Sequence, residues 1–259
     1  MPTHTPSLWW QWTVPVLCLL AAAVIGALDL NQSLFLWFNQ LGLNQLGLSD
    51  SLNGNTAHNH FWSSATLLGD TLAAFTLLAL FLRKRPDIVW TLFLAALFTT
   101  AWVHGLKNGV DSLRPLAILG PDSVHVIGAA LNKYSFPSGH TATAFTLAAV
   151  ICLRGVHPAL AITALLLATL AGVARAMVGA HWPIDILFGA LGGWVAALIG
   201  VRLYARWPLP ARPAVHITLT LILFACALSL LLFHDSGYPL AVPMQQGLAS
   251  ISLVYLGWH

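Results

Sequence analysis

Long apolar runs alternate along this chain with short polar connections. A membrane-crossing helix needs about 20 mostly apolar residues. On that measure the pattern predicts spans over 12–28, 62–82, 88–106, 140–153, 159–178, 184–204 and 215–233. An Asn-rich polar stretch, 29–60, separates the first two. Within it, Leu34-Phe35-Leu36-Trp37-Phe38 is too short to span and reads as an interfacial helix with Trp37 at headgroup depth. The tail, 238–258, is apolar but carries Pro243, Gln245 and Gln246, and it suits either an eighth span or a surface segment.

Composition turns this pattern into a class. Hydrophobic residues make up 58% of the 259 positions and charged ones 7%, against about 25% charged in a soluble domain. An all-α, polytopic membrane bundle is expected. All eight acidic residues are Asp, and the formal net charge of +3 is too small and too dispersed for nucleic-acid binding. Cys18, Cys152 and Cys226 lie far apart inside apolar runs and read as buried thiols rather than a disulfide or zinc set. The first ten residues lack Lys and Arg, and the run after Trp12 is long enough to stay in the bilayer, so a cleaved signal peptide is not expected. With no repeat and no long polar linker, one membrane domain over 1–259 is expected, with a six-span core over 12–204 and an extension over 205–259 holding one or two spans. Oligomeric state is left open.

The basic residues sort by side. Arg83, Lys84, Arg85, Arg154, Arg202, Arg206 and Arg212 fall in connections after even-numbered spans, which the positive-inside rule assigns to the cytoplasm. The opposite face holds only Lys107, Arg114, Lys133 and Arg175. Three of those four belong to one constellation. Lys107 and Arg114-Pro115 stand where the third span ends. Pro137-Ser138-Gly139-His140 opens the fourth, with Ser138 a good N-cap whose helix aims unpaired N–H groups and its dipole forward. Arg175, His181 and Asp185 bridge the fifth and sixth. Three cations, a helix N-terminus and two histidines at one depth suit a multiply charged anion, and phosphate fits best. Pro183 places Asp185 in the first helical turn, within reach of His181 Nδ1, which would leave Nε2 free to act as a nucleophile.

These blocks resemble the signature of the type 2 phosphatidic acid phosphatase superfamily, K-x6-R-P, P-S-G-H and S-R-x5-H-x3-D, matched here as Lys107 to Pro115, Pro137 to His140 and Arg175 to Asp185. Ala174 stands where the family usually has Ser, which removes a hydroxyl contact and is expected to weaken phosphate binding without abolishing activity. The resemblance implies that His181 attacks phosphorus, Asp185 orients it, and His140 serves as acid and then base. It implies that Lys107, Arg114, Ser138, Gly139 and Arg175 hold the phosphate oxygens, with no metal or other cofactor required. It leads to the expectation of a lipid phosphate phosphatase in a bacterial inner membrane, its site facing the periplasm or exterior. Undecaprenyl pyrophosphate, phosphatidic acid and phosphatidylglycerol phosphate are the candidate substrates. A lipid phosphotransferase or lipid A phosphatase on the same site is the alternative, and a non-enzymatic phospholipid-binding protein a remoter one.

Other polar residues invite weaker readings. His58 and His60 are expected to be solvated rather than metal-bound. Asp70, about two turns inside the second span, is expected either to touch a motif cation or to cap a polar pocket. Asp111 and Asp122 read as loop residues, and His104 as interfacial packing.

Overall fold

The computed structural model describes residues 8–41, 56–209 and 212–257. Its helices are α1 (Leu8–Ala27), α2 (Asn31–Gln40), α3 (Thr56–Leu67), α4 (Thr71–Leu77), α5 (Ala79–Leu82), α6 (Pro86–Val110), α7 (Pro115–Leu119), α8 (Gly139–Leu153), α9 (Pro158–Met177), α10 (Pro183–Arg206), α11 (Pro213–Leu232) and α12 (Val242–Gly257). Four segments, Pro86–Leu119, Pro158–Met177, Pro183–Arg206 and Pro213–Leu232, are long and apolar enough to cross a membrane, and six are if each of two bent pairs counts as one span. The all-helical membrane bundle expected from the pattern is the observed fold. The middle of the Asn-rich connection, 42–55, lies outside the described residues, as does Trp258.

The centre of the bundle is α10 packed against α8 and α6. Glycines make this approach feasible: a Cβ on Gly189 would come within 2.5 Å of the Ser138 carbonyl, and one on Gly193 would collide with that of Ala142. Trp194, Ile88, Leu78, Leu198 and Leu223 fill the core behind them. At the basic end, Asp87 joins Arg85 at 2.9 Å and Arg154 at 2.8 Å, and the Arg154 guanidinium lies over the Tyr204 ring.

Three elements refine the pattern-based reading. The expected interfacial helix is α2, which meets α1 at 104° and buries Phe35 and Asn39 while exposing Trp37. Asn39 pins it there, donating to the His125 carbonyl at 2.8 Å and accepting the His125 N–H at 2.8 Å. The second span is not one helix. It bends by 69° between α3 and α4, because Asp70 caps α4 by accepting the Ala73 N–H at 3.0 Å and Gly69 lets the chain press on the His140 backbone, where a Cβ would approach the carbonyl oxygen to 2.6 Å. The tail forms α12, which packs on α11, α4 and α5. It runs from Tyr238 beside Arg175 back to Tyr255, whose carbonyl accepts from Arg83 at 2.7 Å. It is a bundle helix rather than a surface segment.

Candidate active site

Each piece of the constellation is positioned by a helix end. Lys107 sits in the last turn of α6, Arg114 is the N-cap of α7, Ser138 the N-cap of α8, Arg175 lies in the last turn of α9 and Asp185 in the first turn of α10. His181 occupies the connection between α9 and α10. The Ser138 N–H donates to the Asp185 carbonyl at 3.0 Å, tying the start of α8 to that of α10. Arg114, Ser138, Arg175, His181 and Asp185 are all buried. Lys107, Arg114, Arg175 and His140 each stand close enough to His181 to act on its charge, so the two imidazoles share one end of the bundle.

His181 is held from both sides. Its Nδ1 faces Asp185 Oδ2 at 3.4 Å, and its Nε2 faces Arg114 Nη1 at 3.4 Å. Because guanidinium only donates and carboxylate only accepts, these neighbours favour the tautomer with hydrogen on Nδ1 and a lone pair on Nε2. Burial, followed by the nearby Arg114, Arg175 and Lys107 charges, pushes the His181 pKa well below its ordinary 6.5. The imidazole is therefore neutral at pH 7. Asp185 Oδ2 also accepts from Ser135 Oγ at 2.5 Å and from the Trp182 N–H at 3.0 Å, the latter being half of a capping box.

The cations are aimed by backbone and hydroxyl oxygens. Arg114 donates to the carbonyls of Lys133 at 2.8 Å and Ala180 at 2.9 Å. Arg175 Nη1 donates to Thr66 Oγ1 at 2.6 Å and to the Tyr238 hydroxyl at 2.7 Å. Neither cation is paired with a carboxylate among the described residues, so their charge remains available to an anion. Ser138 Oγ accepts from the Thr141 hydroxyl at 2.9 Å, which leaves its own proton to donate. Lys107, Gly139 and His140 line one end of a cavity of about 430 Å³ between α4, α6 and α8. The cavity descends past Thr71, Thr99, Thr143 and Thr146 to Phe75, Leu92 and Phe93. His104, expected to be interfacial packing, lines this cavity as well.

Other expectations sort clearly. Among the described residues Asp70 pairs with no motif cation; it caps α4 and pairs with His234 Nε2 at 2.9 Å. His58, expected to be solvated, is partly exposed: its ring lies near those of Trp62 and His125, and its Nε2 is buried. His60 contacts the Leu240 carbonyl through Nδ1 at 3.2 Å. Asp111 is an exposed left-handed C-cap and Asp122 an exposed turn residue. Ala174 is fully buried, and the three cysteines are free thiols. Among the described residues no three His, Cys, Asp or Glu side chains converge into a metal-binding group. Ser135, Thr66 and Tyr238 escaped the sequence reading, since nothing local marks them as partners of residues 50, 109 and 63 positions away.

Residues 88–209, which contain all eight candidate site residues, match the family model described as PAP2 superfamily. The crystal structure of Aquifex aeolicus LpxE superposes with a TM-score of 0.57 at 32% identity, covering 67% of this chain and 95% of that one. A lipid A 1-phosphatase of Rhizobium etli is 32% identical over 153 residues, 50% of this chain and 63% of that protein. An undecaprenyl-diphosphatase of Sulfolobus acidocaldarius is 28% identical over 124 residues, 48% of this chain and 59% of its own length. The chain thus spans about three fifths of each of these two curated relatives. The motif spacing, the helix ends that carry it and the LpxE likeness together make this integral membrane protein a member of the PAP2 superfamily.

Proposed function

We propose that the protein is a membrane lipid phosphate phosphatase that works through a phosphohistidine. The observation that carries this reading is the pairing of a buried, neutral His181, held between Asp185 and Arg114, with a cavity that begins at His140 and Lys107 and descends between apolar side chains. A phosphate in the ring of Lys107, Arg114 and Arg175 would leave its lipid tail free to follow that cavity. From Lys107 to Leu92 along α6 the cavity runs about 22 Å at the rise of an α-helix, a depth suited to an acyl or prenyl chain. The Rhizobium and Sulfolobus relatives, by their names, act on lipid A and undecaprenyl diphosphate. These two lipids are accordingly the leading substrates, with phosphatidic acid and phosphatidylglycerol phosphate behind them.

In the first step the His181 Nε2 lone pair forms a bond to phosphorus as the bond to the leaving oxygen breaks, and His140, protonated once the bound phosphate's negative charge offsets the surrounding Arg175, Arg114 and Lys107 charges, gives that oxygen its proton. Asp185 accepts the Nδ1–H and stabilises the charge that develops on the imidazole. His140, now neutral, takes a proton from water; the hydroxide formed adds to phosphorus, and the phosphorus–nitrogen bond breaks. Phosphate leaves, and both histidines return to their starting protonation. Arg114, Arg175, Lys107, the Ser138 hydroxyl and the Gly139 N–H at the start of α8 stabilise the equatorial oxygens throughout. The site faces the periplasm or exterior of a bacterial inner membrane, opposite the cluster of Arg83, Lys84, Arg85 and Arg154.

Phosphate release from purified undecaprenyl diphosphate, lipid A and phosphatidic acid tests this directly. The expected result is turnover of at least one lipid, unaffected by EDTA and lost almost completely in His181→Ala. Full activity in His181→Ala would remove the phosphohistidine, and EDTA-sensitive turnover would count against a metal-free mechanism.

A further inference from the structure

Arg175 is 2% exposed, yet its Nε has no hydrogen-bond partner among the described residues. A buried guanidinium N–H without an acceptor is costly, and here it marks the edge of the group kept for an incoming anion. The other edge is tied down at Nη1 by two neutral oxygens, Thr66 Oγ1 and the Tyr238 hydroxyl. Neutral acceptors fix the orientation of the guanidinium without cancelling its charge, whereas a carboxylate in their place would compete with phosphate.

Tyr238 comes from the turn between α11 and α12, beyond the 88–209 stretch that matches the family. That turn is anchored from several directions. His234 pairs with Asp70, Gln245 donates to the His234 carbonyl at 2.9 Å, and the Ala129 N–H donates to the Gly237 carbonyl at 3.1 Å. Gly128, at φ +82, lies so close under the Tyr238 ring that no Cβ would fit. A tyrosine only 6% exposed and fixed in this way presents its hydroxyl at one point.

We propose that Tyr238 is a positioning residue for the phosphate clamp, acting through Arg175, so that the C-terminal helical hairpin completes the active site. The proposal rests on the phosphatase reading, in which Arg175 holds a phosphate oxygen. Its test uses the full chain purified in detergent, with orthovanadate as the phosphate analogue, its binding measured by calorimetry. The variants are Tyr238→Phe, Thr66→Val, Arg175→Lys and the Tyr238→Phe/Arg175→Lys double. Tyr238→Phe and Thr66→Val are each expected to weaken vanadate binding about tenfold, the scale of one hydrogen bond to a charged group. In the Arg175→Lys background, Tyr238→Phe should change binding less than about twofold, because the group it acts through is gone. An equal loss in both backgrounds would mean a merely structural role and overturn the proposal. Wild-type vanadate affinity in Tyr238→Phe, with Arg175→Lys impaired, overturns the positioning role and leaves the phosphatase reading intact. A wild-type protein that neither binds vanadate nor releases lipid phosphate overturns both.

Discussion

In the proposed mechanism His181 must present an unprotonated Nε2, and its surroundings enforce that state twice. Asp185 claims the Nδ1–H, and the cations around Nε2 penalise a second proton. The sign of the pH dependence follows. A folded-state pKa below 6.5 keeps the proposed nucleophile neutral in the free protein as pH falls through 6.5, and its unprotonated form is lost only at lower pH. The acid limb that His181 contributes to kcat/KM is therefore expected below pH 6.5, where a pH–rate profile on one lipid substrate will locate it; a limb centred above 6.5 would contradict this environment. Lys107, Arg114, Ser138, His140, Arg175, His181 and Asp185 were legible from sequence because each block is local, set by the spacing across one helix end. Their supports were not. Thr66 and Tyr238 meet Arg175, and Ser135 meets Asp185, only once the chain has folded, and no short-range pattern records such pairings.

Among the elements, the helices themselves follow from the length of the apolar runs, and the breaks follow from contacts those runs do not encode. The run over 62–82 is apolar enough to read as one span, yet α3 and α4 part at Gly69-Asp70. Asp70 is a recognisable N-cap residue, but only the packed His140 carbonyl shows why glycine must precede it. This bend sets α3 beside α9 and α4 beside α8 and α11, and so brings Thr66 to Arg175 and Thr71 to the cavity. Gly69→Ala should therefore force His140 or α4 to shift, at about 1–3 kcal/mol of stability, as overpacking a close contact does. It should also lower kcat, because His140 moves with its backbone. Gly105→Ala makes the control: its Cβ would meet nothing within 4 Å, and a mid-helix alanine is favoured by about 0.8–1.0 kcal/mol over glycine. Melting temperature and phosphate release measured on both variants check the pair, and equal behaviour of the two would remove the close contact at Gly69 as a constraint.

For the whole molecule, the interlocked basic cluster and the candidate site lie at opposite ends. Arg85, Asp87 and Arg154 interlock at one end, while Arg114, Arg175 and His181 gather at the other. The segregation was legible from the placement of Lys and Arg along the chain, because insertion reads that same bias. The course of α12 was not legible, since Pro243, Gln245 and Gln246 are as compatible with a surface helix as with a buried one. The Gln245 amide nitrogen, donating to the Leu230 and His234 carbonyls, ties α12 into the bundle through contacts that only the folded chain supplies. If the basic end is cytoplasmic, a phosphate-bearing lipid reaches His181 from the outer leaflet, and this is open to a direct check. Lys84 and Asp122 are exposed at opposite ends of the bundle, whereas Cys18 and Cys152 are buried and Cys226 partly so. With Cys226 replaced by Ser, a membrane-impermeant maleimide applied to intact cells should label Asp122→Cys readily. It should label Lys84→Cys only after the membrane is permeabilised. The reverse pattern would turn the site toward the cytoplasm and replace outer-leaflet substrates with lipids of the inner leaflet, while leaving the geometry around His181 as it stands.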